Sequence, residues 1–204
     1  MTKRIAEIIS ALFHPIFLPV YFSLLLIANS LYNISSASSA VIFLVFIVFT
    51  TILPLLSVFI LQHSGWIGSF TMQSRNERSY PLLLTLLFNV SFLYITSKYR
   101  GSPILNYVVM ITAITIILSW GINIFTKLSL HLAGWSALMA TAFWFLKIGW
   151  LHSLLYVITA AILTGIIGSA RLKLKAHNGI ELVVGTITGI ISLVLTNYLI
   201  FRMA

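Results

Sequence analysis

Apolar stretches of about 20 residues recur along the whole chain, each the length an α-helix needs to cross a hydrocarbon core of about 30 Å. They lie near 6–29, 40–62, 81–98, 104–126, 130–147, 150–169 and 179–201. Backbone N–H and C=O groups facing lipid must be satisfied within their own segment, so such stretches are helices. Of 204 residues, 60% are hydrophobic and 7% charged, a balance no soluble surface carries. The expected architecture is an all-α, polytopic transmembrane helical bundle of six or seven spans, with residues 1–204 forming a single transmembrane domain. The run from Ile5 to Ala28 exceeds a signal-peptide h-region, so it is read as a retained first span.

The formal charge of +9 would suggest nucleic acid in a soluble protein. Here Lys and Arg sit in short connections between apolar runs, where they meet lipid headgroups instead. Counting crossings puts the N-terminus and the connections 63–80, 127–129 and 170–178 on one side, called side A. That side holds eight of the twelve basic residues: Lys3, Arg4, Arg75, Arg78, Lys127, Arg171, Lys173 and Lys175. By the positive-inside rule side A would be cytoplasmic, although three of its arginines are also candidates for substrate binding. Pro15, Pro19 and Pro54 fall inside spans and are expected to kink them, while Gly185 and Gly189 form a Gly-x-x-x-Gly pair suited to close helix contact.

The chain has no Cys and no Asp, and its acids are Glu7, Glu77 and Glu181, which leaves few options for chemistry. Thiol chemistry is excluded, and a carboxylate pair or an oxygen-rich calcium cage would need more acids close together. In SARLKLKAHNGIELVVGTITG (169–189), Arg171 is followed six residues later by His177 and four later by Glu181. A helix beginning near His177 would place His177 and Glu181 one turn apart on one face. The carboxylate could then fix the imidazole tautomer and raise the nucleophilicity of the other ring nitrogen. KLSLHLAG (127–134) adds His131 on side A, and QSRNERSYP (73–81) adds Arg75 and Arg78. Arginine forks bind phosphate oxygens and neutralise charge during phosphoryl transfer. His14, ahead of Pro15, is read as structural, bonding a carbonyl opened by the kink, with a place in a cavity as the alternative. His63 and His152 are read as interfacial.

These residues resemble the integral membrane branch of the type 2 phosphatidic acid phosphatase superfamily, itself similar to the vanadium haloperoxidases. Its three signatures are K-x6-R-P, P-S-G-H and S-R-x5-H-x3-D. Arg171, His177 and Glu181 match the third, with Glu181 in place of Asp and Ala170 between Ser169 and the arginine. Ser129-Leu130-His131 resembles the second, and Arg75 and Arg78 stand near the first, before Pro81. The resemblance implies His177 as nucleophile, Glu181 as its orienting carboxylate and His131 as general acid. It implies Arg171, with Arg75, Arg78, Ser129 and Lys127, as the phosphate-binding set.

The expected protein is a metal-free, cofactor-free lipid phosphatase of the plasma (inner) membrane. Its substrate would be a phospholipid or polyprenyl phosphate. Two other readings stand beside it: a diverged, inactive member that binds a lipid phosphate or a membrane partner, and a small transporter.

Overall fold

The computed structural model describes residues 1–68, 76–99 and 101–203. Among these the chain is all-α, with nine α-helices: α1 (Lys3–Leu12), α2 (Leu18–Ala28), α3 (Ala37–Ile47), α4 (Leu53–His63), α5 (Ser79–Lys98), α6 (Pro103–Phe125), α7 (Leu130–Lys147), α8 (Leu155–Lys173) and α9 (Gly179–Met203). The pairs α1–α2 and α3–α4 are each one interrupted rod, so seven rods result. Six of them are long and apolar enough to cross a membrane: Lys3–Ala28, Ala37–His63, Ser79–Lys98, Pro103–Phe125, Leu155–Lys173 and Gly179–Arg202. The protein is an integral membrane protein. The seventh rod, α7, is 18 residues long and carries His131, Ser136, Thr141 and Lys147, which lower its apolar character.

Both interruptions sit at the prolines. Pro15 disfavours the helical region for the residue before it, and His14 is extended at ψ 137°. A short 3-10 turn, Pro15–Phe17, then leads into α2. In the second rod a π-turn, Val48–Ile52, lies just ahead of Pro54, and the Leu53 amide donates to the Val48 carbonyl. A proline cannot donate to the preceding turn, and the widened π-turn accommodates that loss.

The chain divides into two compact units: Met1–Leu18 with Phe125–Ala204, and Pro19–Ile124. In the second, Phe46 and Phe92 are fully buried and meet edge-on at 5.8 Å between α3 and α5. The Thr96 hydroxyl joins α5 to α6 by donating to Asn106 Oδ1 at 2.8 Å.

The first unit is built on α7, against which both α8 and α9 pack. A Cβ at Gly185 would meet the Ser129 carbonyl and the Ala133 amide, and one at Gly189 would overlap Ser136 Oγ and the Ala133 carbonyl. The two glycines therefore let the backbones of α7 and α9 approach directly. Ser136 Oγ reaches the Thr186 carbonyl at 3.0 Å across the same seam. The starts of α7 and α9 are tied by the Ser129 amide donating to the Glu181 carbonyl at 3.1 Å, so these helices run parallel.

Helix α8 departs from expectation at both ends. It starts at Leu155 rather than near 150, and it runs on through Arg171 to Lys173. Ala170, Leu172 and Lys173 are good helix formers, and the turn comes only at Lys175, which has φ 52°. The Lys175 and Ala176 amides return to the Leu172 and Arg171 carbonyls, a Schellman-type cap that reverses the chain.

Candidate functional site

The reversal after α8 delivers His177 to the foot of α9. Asn178 caps that helix, its Oδ1 accepting from the Glu181 amide at 2.9 Å. Glu181 thereby occupies the third helical position, where a carboxylate is stabilised by the helix dipole, and its Oε1 lies 3.4 Å from Asn178 Nδ2. Its Oε2 meets His177 Nδ1 at 2.6 Å. The helix starts at Gly179, so the pair meets across the cap rather than along a helix face as expected. A carboxylate oxygen accepts, so Nδ1 carries the proton and the lone pair is on Nε2. The His177 side chain is 2% exposed and that of Glu181 17%, which limits screening of the contact by water.

The second cluster centres on Ser10, in the last turn of α1. Arg171 Nη1 donates to Ser10 Oγ at 2.5 Å. His131 Nε2 lies 3.1 Å from the Ser10 carbonyl and 3.5 Å from its hydroxyl. A carbonyl can only accept, so Nε2 of His131 bears a proton and Nδ1 is the basic nitrogen of the neutral ring. The His14 ring stands edge-on to that of His131 at 5.2 Å, and His131 is within electrostatic range of Arg171, His14 and His177. His131, Arg171, Ser10, His177 and Glu181 thus belong to one unit, where the starts of α7 and α9 lie beside one another.

His14 caps the Pro15–Phe17 turn, its Nδ1 accepting from the Ile16 amide at 3.3 Å. The carbonyl opened by the break, that of Phe13, is taken by Trp135 Nε1 at 2.9 Å. Sequence reasoning assigned that bond to His14 and overlooked Trp135. It also missed Ser10. The available signal was phase: Ala6 and Ser10 lie one turn apart and are buried, whereas Ile5, Ile8 and Leu12 on the other faces are exposed.

Two expected phosphate ligands are occupied structurally. Ser129 is fully buried as the α7 N-cap, its Oγ accepting from the Leu132 amide at 3.4 Å. Lys127 Nζ donates to the Ala176 carbonyl at 3.0 Å and so pins the turn that carries His177. Arg78 is buried at the start of α5, in the other unit. Arg75 lies outside the described residues. Lys173 and Lys175 are exposed, as are His63 and His152. Among the described residues no three His, Cys, Asp or Glu side chains converge as metal ligands.

The chain matches no family model, no curated protein and no solved structure.

Proposed function

We propose that this protein is a lipid phosphatase of the plasma (inner) membrane that works through a phosphohistidine. The observation that carries this reading is the 2.6 Å contact between His177 Nδ1 and Glu181 Oε2, in the unit that also holds Arg171 and His131. The carboxylate stabilises the positive charge that grows on the imidazole as Nε2 attacks phosphorus. Arg171 supplies a fork for the phosphate oxygens. As the P–N bond forms and the P–O bond to the lipid breaks, the leaving oxygen takes a proton from Nδ1 of His131, a proton that the negative charge of the bound phosphate holds on the otherwise neutral ring. The ring is then in the neutral Nε2–H form, and its Nδ1 accepts a proton from the water that cleaves the P–N bond and releases phosphate.

The test is phosphate release by the purified full chain in detergent micelles, offered phosphatidate, phosphatidylglycerophosphate or a polyprenyl diphosphate. Wild type should turn over at least one of them, and His177→Ala should lose about 10³-fold or more, as for loss of a covalent nucleophile. Release from none, or equal release by both proteins, would overturn the reading.

A second reading is binding of a lipid phosphate without turnover. The observation favouring it is that Ser129 and Lys127 are committed to a helix cap and a turn. Phosphate-headgroup binding that is lost in Arg171→Ala, with no product formed by wild type, would select it.

A further inference from the structure

Buried hydroxyls in this chain commonly donate to a carbonyl one turn back in their own helix. Thr50, Thr115, Thr141, Thr164 and Thr196 all do so, at 2.7–2.8 Å. Such bonds satisfy the hydroxyl locally and commit it to structure. Ser10 is 7% exposed, yet among the described residues its hydroxyl makes no bond of this kind. Its contacts are instead Arg171 Nη1 at 2.5 Å and His131 Nε2 at 3.5 Å.

The placement of protons follows from donor and acceptor rules. The guanidinium can only donate, so it consumes a lone pair of Ser10 Oγ and leaves the hydroxyl proton uncommitted. Nε2 of His131 cannot receive that proton while it donates its own to the Ser10 carbonyl at 3.1 Å. Among the described residues, no other acceptor takes it. The site therefore holds a buried hydroxyl polarised by a cation, with its proton available to an incoming acceptor. A phosphate oxygen drawn to Arg171 would be such an acceptor.

We infer that Ser10 is a substrate-binding residue: its hydroxyl, oriented by Arg171, donates to a phosphate oxygen, while its carbonyl holds His131 in the Nε2–H form. The inference rests on the phosphate-site reading above and adds a ligand from α1, outside the three stretches that suggested it. One residue thereby sets the distance between the cation that binds phosphate and the imidazole that exchanges the proton. A lipid phosphate and free orthophosphate share this chemistry, so both serve as probes.

The experiment uses the full chain in detergent micelles as wild type, Ser10→Ala and Ser10→Thr. Binding of orthophosphate is read from the shift in thermal midpoint, and KM and kcat are measured on whichever of phosphatidate, phosphatidylglycerophosphate and polyprenyl diphosphate wild type hydrolyses. Ser10→Ala should raise the apparent Kd for orthophosphate and the KM by about tenfold or more, the effect of losing one hydrogen bond to a charged group. Its midpoint without phosphate should fall only modestly, because Arg171 Nη1 loses one acceptor while no bond within a helix is removed. Ser10→Thr, which keeps the hydroxyl, should stay within about threefold of wild type in both constants.

Wild-type Kd and KM in Ser10→Ala would overturn the inference while leaving the phosphatase reading intact. Equal losses in both variants, with a strongly lowered midpoint in the absence of phosphate, would make Ser10 structural and also overturn it. If wild type binds orthophosphate without turnover, the phosphatase reading fails and the Kd comparison alone decides Ser10. If wild type binds neither probe, both fall.

Discussion

Glu181 can act on His177 through its charge, through its hydrogen bond, or through both, and Glu181→Gln separates them. The amide keeps a similar shape and an acceptor for Nδ1–H, but it cannot offset the charge that develops on the ring. The expected outcome is a fall in kcat of roughly 10²-fold or more with little change in KM. Steady-state kinetics on phosphatidate checks this, and a kcat within a few-fold of wild type would remove Glu181 from the chemistry. The spacing of Arg171, His177 and Glu181 was legible in the sequence because all three lie within eleven residues of chain. Ser10 and Trp135 were not, because each acts through a contact more than 120 residues away, Ser10 with His131 and Trp135 with Phe13. A serine among isoleucines on a short helix carries no local mark of that partnership.

At the scale of elements, the turn from α8 into α9 brings the site together. Lys175 is a non-glycine residue in the left-handed region, which costs an L side chain roughly 1 kcal/mol. Lys175→Gly should relieve most of that cost and raise the thermal midpoint, while phosphate release is kept, because the lysine side chain is exposed. A lowered midpoint would contradict this role for the cap. Composition alone did not reveal where α8 stops, since Leu172, Lys173 and Leu174 are all compatible with helix and a left-handed lysine is rarely anticipated. The Gly-x-x-x-Gly pair, by contrast, was readable directly. Gly189→Ala would drive a methyl group into Ser136 Oγ and the Ala133 carbonyl, and should destabilise the fold by about 1–3 kcal/mol in a denaturation titration. Unchanged stability would mean that α7 and α9 are not held at this distance.

For the whole molecule, the recurrence of apolar runs carried the fold class, and six rods meet the length and hydropathy of spans. The least apolar run, 130–147, became α7, the helix on which α8 and α9 pack, so its polar residues mark an interior position within its unit. Sidedness is open to a direct check, because the chain contains no cysteine. His152→Cys and Lys175→Cys place single thiols at exposed positions beyond the two ends of α8. In sealed vesicles a membrane-impermeant maleimide should label only one of them until the membrane is permeabilised. Labelling of both from one side would contradict α8 as a span, and whichever reacts from outside assigns the leaflet facing Arg171 and His177. The chemistry at that face is tested most directly by trapping the intermediate. Full-length protein should be mixed with phosphate-labelled phosphatidate, quenched within the first turnovers and mapped by peptide. A phosphohistidine mechanism predicts an acid-labile, alkali-stable phosphoryl group on His177 that is absent in His177→Asn. Continued phosphate release with no label on His177 would contradict it.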